Sequence, residues 1–233
     1  MTSRVIAIAG AKGSPGCSFL AVALARCLSH ANISTLLLDA DAEGGGLAAM
    51  LEPASAMSLR ELGSTAFDDE AVQIEQRLWF AELSQEDYGS LSGFDLASAT
   101  RAKHQAVVVD LGHSAGSLQK QLSAASDWLL WVVAPDRSGL ERADRALESG
   151  ALGAGNVGLV INRVRPGCLA RADEVLSSRH RVPVMARIKE NRRVADRLSQ
   201  GHPVHREWGF GRTLHELARS VYPDVATRTH GWP

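Results

Sequence analysis

The chain has 233 residues, of which 45% are hydrophobic, and its 25 basic residues nearly balance 26 acidic ones. This length and apolar content suffice for one sizeable α/β core, so we expect residues 1–233 to form a single domain. The near-neutral net charge excludes a protein whose whole surface binds polyanions, but it does not exclude a local basic patch that does so. Three cysteines without metal-ligand spacing argue against a disulfide framework or a zinc site, and fit a reducing cytoplasm.

No secretory signal or membrane span is expected. The most apolar run, residues 128–134, is far shorter than the roughly 20 residues that a spanning helix needs. It is flanked by Asp127 and Pro135, and we interpret it as a buried strand.

The first predicted unit is a strand, a glycine-rich loop and a helix. The apolar residues 5–8 precede the run A-G-A-K-G-S-P-G-C-S at residues 9–18, and an apolar helical segment follows. The backbone N–H groups of such a loop, together with a helix N-terminus, can wrap a polyphosphate. A plain turn after a buried strand is the alternative. The residues expected to bind the phosphates are Gly13, Ser14, Pro15, Gly16, Cys17, Ser18 and Phe19.

The loop departs from the ordinary phosphate-loop pattern G-x-x-x-x-G-K-[ST] at two positions, and Ala11, after Gly10, matches the first glycine only imperfectly. Gly16 and Ser18 match the pattern, but Cys17 stands where a lysine should reach the β- and γ-phosphates. A thiol cannot supply a fixed positive charge, so we expect hydrolysis to suffer more than binding. A different lysine, Lys12, lies near the start of the loop.

Two further predicted strands end in acids. Residues 34–39 form an apolar run that ends at Asp39, with Asp41 just beyond, and residues 105–112 contain a β-branched run that ends at Asp110. In a parallel sheet covered on both faces, ligands lie beyond the carboxyl ends of the strands. An acid at Asp110 can hold magnesium through water, beside the hydroxyl of Ser18. A solvated turn is the alternative for the segment after Asp39.

Residues 52–104 are the least regular part of the chain. We expect short helices at residues 58–62 and 68–78, a strand at 78–83 and a helix at 95–103. From Asp39 to Asp95 there are thirteen acidic residues and two basic ones. This composition is typical of a solvated face, and a docking surface for a basic partner is the alternative.

Strands and helices alternate regularly in the rest of the chain. This alternation predicts an α/β fold with a doubly wound, mostly parallel sheet and helices on both faces. Asn162 ends one of the strands, and an asparagine that merely caps a turn is one interpretation of it. The expected strands are residues 128–134, 156–162 and 182–188, and the expected helices are 138–148, 170–178 and about 212–222.

These motifs, in this order, resemble the MinD/ParA family of P-loop ATPases, which have a deviant Walker A loop, K-G-G-x-G-K-[ST]. The resemblance covers nearly the whole chain. Lys12 matches the signature lysine, which in that family reaches across a dimer to the partner's nucleotide, and Ser18 matches the hydroxyl that helps to hold magnesium. Asp39 matches the acid that positions or polarises the attacking water, while Asp110 ends a strand like Walker B. The resemblance thus implies ATP and Mg²⁺ as cofactors, with Ser18, Asp41 and Asp110 at the metal.

The later strands also resemble the family, in the part of the site that binds the base of the nucleotide. Asn162 matches an asparagine that reads the adenine edge, and Arg163 follows it as is common in the family. Residues 182–203 resemble the family's C-terminal block, in which a strand leads into a loop beside the base. An aspartate is usual in that loop, whereas this chain has K-E-N at residues 189–191.

Basic residues are concentrated near the end of the chain, with twelve basic and five acidic residues from Arg163 to Arg212. Arg192, Arg193 and Arg197 fall on one predicted helix, which could face DNA phosphates as in the ParA branch. A solvated helix is the alternative. Residues 228–233 lack the apolar face of a MinD-type membrane tail, so direct membrane insertion is not expected.

The substituted loop and the sequence D-L-G at Asp110 look most like the CpaE/TadZ-type branch, whose members localise pilus and secretion machinery. Many members have a receiver-like domain before the loop, which we do not expect here. The resemblance implies a nucleotide-sandwich homodimer that positions a protein assembly, with weak or absent hydrolysis. It also implies a cytoplasmic protein that is recruited to a pole or a membrane-associated complex. A DNA-associating partition ATPase and a scaffold with an empty pocket are the alternatives.

Overall fold

The computed structural model of the protein describes residues 3–10, 16–41, 46–51, 71–83, 92–113, 116–149, 155–168, 172–200, 202 and 209–227. Within them, eight strands form one sheet in the order β3-β4-β2-β5-β1-β6-β7-β8. The strands are β1 Arg4–Gly10, β2 Thr35–Asp39, β3 Val72–Glu75, β4 Leu78–Glu82, β5 Ala106–Gly112, β6 Trp128–Val133, β7 Val157–Val164 and β8 Val184–Lys189.

Strand β1 lies in the middle of the sheet, between β5 and β6, and is parallel to both. The chain winds from β1 toward β2 on one side and later crosses to β6 and β7 on the other. In such a sheet the crevice for a ligand opens where the winding reverses, at the carboxyl ends of the strands. All neighbouring strands are parallel except the edge hairpin of β3 and β4. The predicted doubly wound, mostly parallel sheet is confirmed.

Helices cover both faces of the sheet. Alternate residues of β1 point to opposite faces: Ile6 and Ile8 pack with the first and last helices, whereas Val5 and Ala7 pack on the other face. The helices are α1 Cys17–His30, α2 Gly46–Leu51, α3 Gly93–Lys103, α4 Ser117–Ala125, α5 Arg137–Glu148, α6 Ala172–His180, α7 Arg192–Ser199 and α8 Phe210–Val221, followed by a 3-10 helix, Pro223–Thr227.

Helix α1 is the most buried helix of the core. Its leucines Leu20, Leu24 and Leu28 are fully buried, as the sequence pattern predicts, and each contributes about 2 kcal/mol through burial. The charged Arg26 is also buried, and its Nε donates to Glu75 Oε1 in β3 at 2.7 Å. A buried cation needs such a partner, so this ion pair joins the helix to the edge hairpin.

An expected helix at residues 68–78 is wrong, because Val72–Glu75 forms strand β3. The sequence V-Q-I-E alternates apolar and polar side chains, which suits a half-buried strand. Arg77, with φ of 61°, turns the chain back so that β3 pairs with β4 in antiparallel fashion. The expected strand at 78–83 and helix at 95–103 are confirmed by β4 and α3, while residues 58–62 lie outside the described part of the chain.

One edge strand of the sheet is short and irregular, and the other exposes charged side chains. Strand β3 has four residues, and its pairing shifts register between Gln73 and Glu75. Strand β8, at the other edge, exposes Arg187 and Lys189. None of the helices in the described ranges is long and apolar enough to cross a membrane.

Candidate functional site

The central feature of the site is the beginning of α1, directly after β1. Gly16 adopts a left-handed conformation, with φ of 90°, and caps the helix without a side-chain hydrogen bond. A Cβ atom at this position would lie 3.1 Å from Asn162 Nδ2, so glycine suits both the backbone and the contact. The first N–H groups of a helix lack acceptors within the helix and carry a partial positive charge. This end of α1 therefore favours an anion.

The preceding part of the loop is not described. Lys12, Gly13, Ser14 and Pro15 lie outside the described residues, and their expected roles stay predictions.

The first three residues of α1 have three different environments. Cys17 is 5% exposed and packs with the apolar core on the α1 face of the sheet. The hydroxyl of Ser18 hydrogen-bonds to the carboxylate of Asp110. The ring of Phe19 packs edge-on against Phe210, with 5.5 Å between ring centroids. The position expected for the phosphate-loop lysine thus faces apolar packing, whereas Ser18 is directed at an acid.

Asp39 and Asp110 lie side by side at the carboxyl ends of β2 and β5, where they are register partners. They are 2% and 0% exposed. Oδ1 of Asp39 accepts from the N–H of Asp41 at 3.1 Å, and Oδ1 of Asp110 accepts from the N–H of Gly112 at 3.0 Å. Oδ2 of each has no hydrogen-bond partner among the described residues. Two buried carboxylate oxygens are thus left for something else to contact.

Burial raises the pKa of both acids. The pKa of Asp39 rises to about 7, chiefly through burial and further through the charges of Asp110, Glu82 and Asp41, despite the N–H of Asp41. The pKa of Asp110 rises to about 6, again chiefly through burial, against the hydrogen bonds from Ser18 and Gly112. The ionised forms of both acids are therefore disfavoured at this edge, and a bound cation would stabilise them.

A third acid, Glu82, was not among the predicted site residues. It ends β4 as the register partner of Asp39, so three neighbouring strands carry acids at or near their carboxyl ends. The signal was present, because the expected strand at 78–83 contains this acid near its end. Asp41 completes the group: a Cβ on Gly112 would meet the Asp41 carboxyl group at 2.1 Å, so that carboxyl group lies close over the backbone of β5.

These residues fit the chemistry of magnesium. Mg²⁺ in nucleotide sites is held by one or two carboxylates, together with phosphates and water. Within the described ranges, no group of three or more His, Cys, Asp or Glu side chains is arranged to hold a metal ion by itself. Two neighbouring carboxylates with unpartnered oxygens, one of them hydrogen-bonded to the Ser18 hydroxyl, match a site that phosphate and water would complete.

A cavity of about 190 Å³ lies on the other side of Gly16. Asn162, at the end of β7, is 6% exposed, and its Oδ1 accepts from the N–H of Arg163 at 2.9 Å. Both residues line the cavity, as do Gly16 and Phe19, so four of the predicted nucleotide residues meet there. The whole lining is Gly16, Phe19, Asn162, Arg163, Ile188, Lys189, Glu190, Asn191, Arg192, Val194, Ala195 and Phe210.

Two features of this cavity were not predicted from the sequence. Phe210 comes from α8, far along the chain, and no local pattern marks it as a wall of the site. Glu190 lies in the loop expected beside the base, but its ion pair with Arg165, which follows β7, was not predicted. One contact of this pair, from Arg165 Nη2 to Glu190 Oε1, measures 2.7 Å.

The three arginines predicted to face DNA differ in exposure. Arg192 and Arg193 are exposed at the start of α7, whereas Arg197 is half-buried and its carbonyl accepts from the N–H of His202 at 2.9 Å. Arg192 also lines the cavity. Only two of the three are therefore fully available to a large partner.

The chain was compared with known families and structures. The model of the CobQ/CobB/MinD/ParA nucleotide binding domain matches residues 6–204. No curated protein sequence is significantly similar to the chain. Among solved structures, a ParA family ATPase from Chlorobium tepidum TLS has a TM-score of 0.77 at 19% identity, over 93% of this chain and 98% of that one.

Two MinD structures are equally similar. The MinC:MinD cell division protein complex of Aquifex aeolicus has a TM-score of 0.78 at 18% identity, over 95% of this chain and 96% of that one. The septum site-determining protein MinD of Pyrococcus horikoshii OT3, complexed with Mg-ADP, has a TM-score of 0.76 at 18% identity, over 98% and 100%. At such identities the likeness shows a shared fold.

Proposed function

The chain belongs to the CobQ/CobB/MinD/ParA family of nucleotide-binding domains, and we propose that it is a switch that binds ATP with Mg²⁺ and dimerises around it. The observation that carries this proposal is the pair of buried acids Asp39 and Asp110, each with one oxygen to which no described residue donates a hydrogen bond. Buried polar atoms are rarely left without partners, so this pair indicates a ligand. The Mg-ADP bound to MinD of Pyrococcus horikoshii supports the same nucleotide and metal chemistry.

Each residue of the site has a proposed role. The loop and the first turn of α1, from Gly13 to Phe19, bind the phosphates through their backbone N–H groups, to which Pro15 contributes shape but no donor. Ser18, Asp41 and Asp110 hold the metal, and Asp39 orients a water molecule toward the phosphate. Magnesium, when bound, would offset part of the negative charge of the phosphates and of these acids. Asn162 and Arg163 contact the base.

Hydrolysis in this proposal is weak or absent because Cys17 occupies the lysine position. A fixed charge on the phosphates is worth about 2–4 kcal/mol of transition-state stabilisation in a site that excludes water, or roughly a hundredfold or more in rate. Lys12 is proposed to reach the nucleotide of the partner subunit and so to make dimerisation depend on nucleotide. In a slow switch of this kind, the dimeric state depends on nucleotide binding more than on nucleotide hydrolysis.

We further propose that the dimer positions a protein assembly, as the CpaE/TadZ-type branch does for pilus and secretion machinery. The MinC:MinD complex of Aquifex aeolicus supports the idea that proteins of this fold act through a protein partner. In this proposal residues 1–233 act as a single domain in the cytoplasm, and the partner recruits it to a pole or a membrane-associated complex.

DNA association is a second candidate, favoured by the exposure of Arg192 and Arg193 at the start of α7. If these residues and Arg197 contact phosphates, affinity for nonspecific duplex falls with salt, and replacing all three by alanine lowers the slope of log K against log salt by about 2–3. Fluorescence anisotropy with a labelled duplex measures this slope. An unchanged slope would contradict DNA association by these arginines, and the positioning of a protein assembly would stay as the proposed function.

The proposed switch is tested by calorimetry of ATP binding with Mg²⁺ and by size-exclusion chromatography with and without nucleotide. Wild type, Lys12→Ala and the control Lys120→Ala, an exposed lysine on α4, are compared. We expect ATP to bind all three and to dimerise wild type and Lys120→Ala only. Binding without any dimer would contradict the switch, and no binding at all would indicate a scaffold with an empty pocket.

A further inference from the structure

The side-chain acceptors around the cavity are all engaged by donors of the protein itself. Oδ1 of Asn162 accepts from the N–H of Arg163 at 2.9 Å, and Oδ1 of Asn191 accepts from the N–H of Val194 at 3.2 Å. Both carboxylate oxygens of Glu190 accept from the guanidinium of Arg165. These are the amide and carboxylate side chains in the lining of the cavity.

The pair of Arg165 and Glu190 is held in place by its backbone. The N–H of Arg165 donates to Cys168 Sγ at 3.1 Å, and the N–H of Glu190 donates to the carbonyl of Val164 at 3.0 Å. The loops after β7 and β8 are thus joined at the mouth of the cavity. The hydrogen bond and charge of Arg165 also hold the pKa of Glu190 below its ordinary value, so this carboxylate is ionised and paired at neutral pH.

The remaining charged groups in the lining are donors. Arg163, Lys189 and Arg192 are cations and cannot accept a hydrogen bond. The charged side chains of the lining other than Glu190 therefore present donors to a base, and the edge of the Glu190 carboxylate that could accept two parallel donors is occupied by Arg165.

Purine bases differ in what they need from such a lining. The Watson–Crick edge of guanine carries two adjacent donors, the ring N1–H and the exocyclic amino group, which together match the two oxygens of a carboxylate. The same edge of adenine carries a ring-nitrogen acceptor and a single amino group. A site rejects a base whose donors would be left without acceptors, because that base gives up its hydrogen bonds to water on binding.

We propose that the Arg165–Glu190 ion pair determines base specificity in this nucleotide site, by occupying the carboxylate that would otherwise accept the two donors of guanine. The proposal rests on the proposed function, since it concerns the nucleotide of that site. Arg165 acts through Glu190 and is a positioning residue, whereas Glu190 is the group that would contact the base. Loss of the arginine frees Glu190 and admits guanine.

The test compares ATP and GTP binding, each with Mg²⁺, to wild type, Arg165→Gln, the double variant Arg165→Gln/Glu190→Ala and a control. The control is Arg187→Gln, which breaks another exposed ion pair on β8, that with Asp173. The side chain of Arg165 is 62% exposed, so its replacement should leave the protein folded. Calorimetry gives both dissociation constants, and thermal unfolding confirms the fold of each variant.

We expect wild type and Arg187→Gln to prefer ATP, and Arg165→Gln to bind GTP about tenfold more tightly than wild type does, since a carboxylate can then pair with two donors. The double variant should lose this gain. If Arg165→Gln binds ATP but keeps the wild-type ratio of GTP to ATP affinity within twofold, the inference is wrong and the proposed function stands. If wild type binds neither ATP nor GTP, both this inference and the proposed function are wrong.

Discussion

The two sides of Gly16 differ in how their polar groups are satisfied. On the β2–β5 side, Asp39 and Asp110 are buried and each has an oxygen without a hydrogen-bond partner among the described residues. On the β7–β8 side, Asn162 and Glu190 have acceptors that are already engaged by the protein. A buried oxygen without a partner is costly, so a ligand on the first side would satisfy groups that the described residues leave open. On the second side the protein supplies donors to its own acceptors, so a ligand there would depend more on shape and on the remaining donors.

The largest expected change comes from placing a positive charge at residue 17, where the ordinary phosphate loop has a lysine. Cys17→Lys should raise the rate of ATP hydrolysis by roughly a hundredfold or more, because an ammonium near the phosphates stabilises the charge that develops in the transition state. Phosphate release at saturating ATP and Mg²⁺ measures it. Cys17→Ala is the control and should show no gain. Unchanged turnover in a folded Cys17→Lys protein would mean that another position limits catalysis.

Removing one of the two acids should have the next largest effect. Asp110→Asn is expected to weaken the binding of ATP with Mg²⁺ by about tenfold to a hundredfold, since a neutral amide is a poorer magnesium ligand. Calorimetry measures the affinity. Asp95→Asn, an exposed change in α3, is the matched control. A structural role for Asp110 would instead lower the unfolding temperature and leave the affinity intact.

The stability of the nucleotide-free protein should depend on pH through Asp39. Its pKa in the folded protein, about 7, lies above the unfolded value of about 4, so the folded state binds the proton more tightly. This contribution is present at low pH and is lost as the pH rises from about 4 through 7. Asp39→Asn should therefore stabilise the protein at pH 8, relative to its effect at pH 4, by a few kcal/mol and at most about 4 kcal/mol. Urea unfolding at both pH values measures this, and equal effects would contradict the assignment.

The smallest expected effect tests the boundary between the two sides. Gly16→Ala places a methyl group 3.1 Å from Asn162 Nδ2 on a backbone with φ of 90°, and should cost about 1 kcal/mol of stability. It should also weaken ATP binding, because the contact lies between the phosphate loop and the cavity. Gly155→Ala, where a Cβ would meet nothing within 4 Å, is the control. Chemical unfolding and calorimetry distinguish the two variants.

Much of the fold could be predicted because the central strands are continuous apolar runs that end in acids. Strands β2 and β5 are examples, and their acids were expected at one edge of the sheet. The sequence does not contain the strand order, so it could not show that Asp39 and Asp110 are register partners. The hairpin strand β3 was misread because its four residues are too few for a period of 2 to be distinguished from a helical period.

The cavity was harder to predict than the acids. Asn162 and Arg163 were identified from their place at a strand end, but Phe210 and the pairing of Arg165 with Glu190 depend on contacts between segments that are far apart in sequence. Such contacts leave no periodic pattern. Lys12, the basis of the expected dimer, lies outside the described residues, so its role stays a prediction.

The edges of the sheet have a consequence for how copies of the protein meet. An unpaired strand edge is a template on which another chain can add a strand, but short, irregular or charged edges resist this. Strand β3 is short and shifted in register, and β8 exposes Arg187 and Lys189. Many copies could therefore accumulate at one place in a cell without their sheets fusing into aggregates.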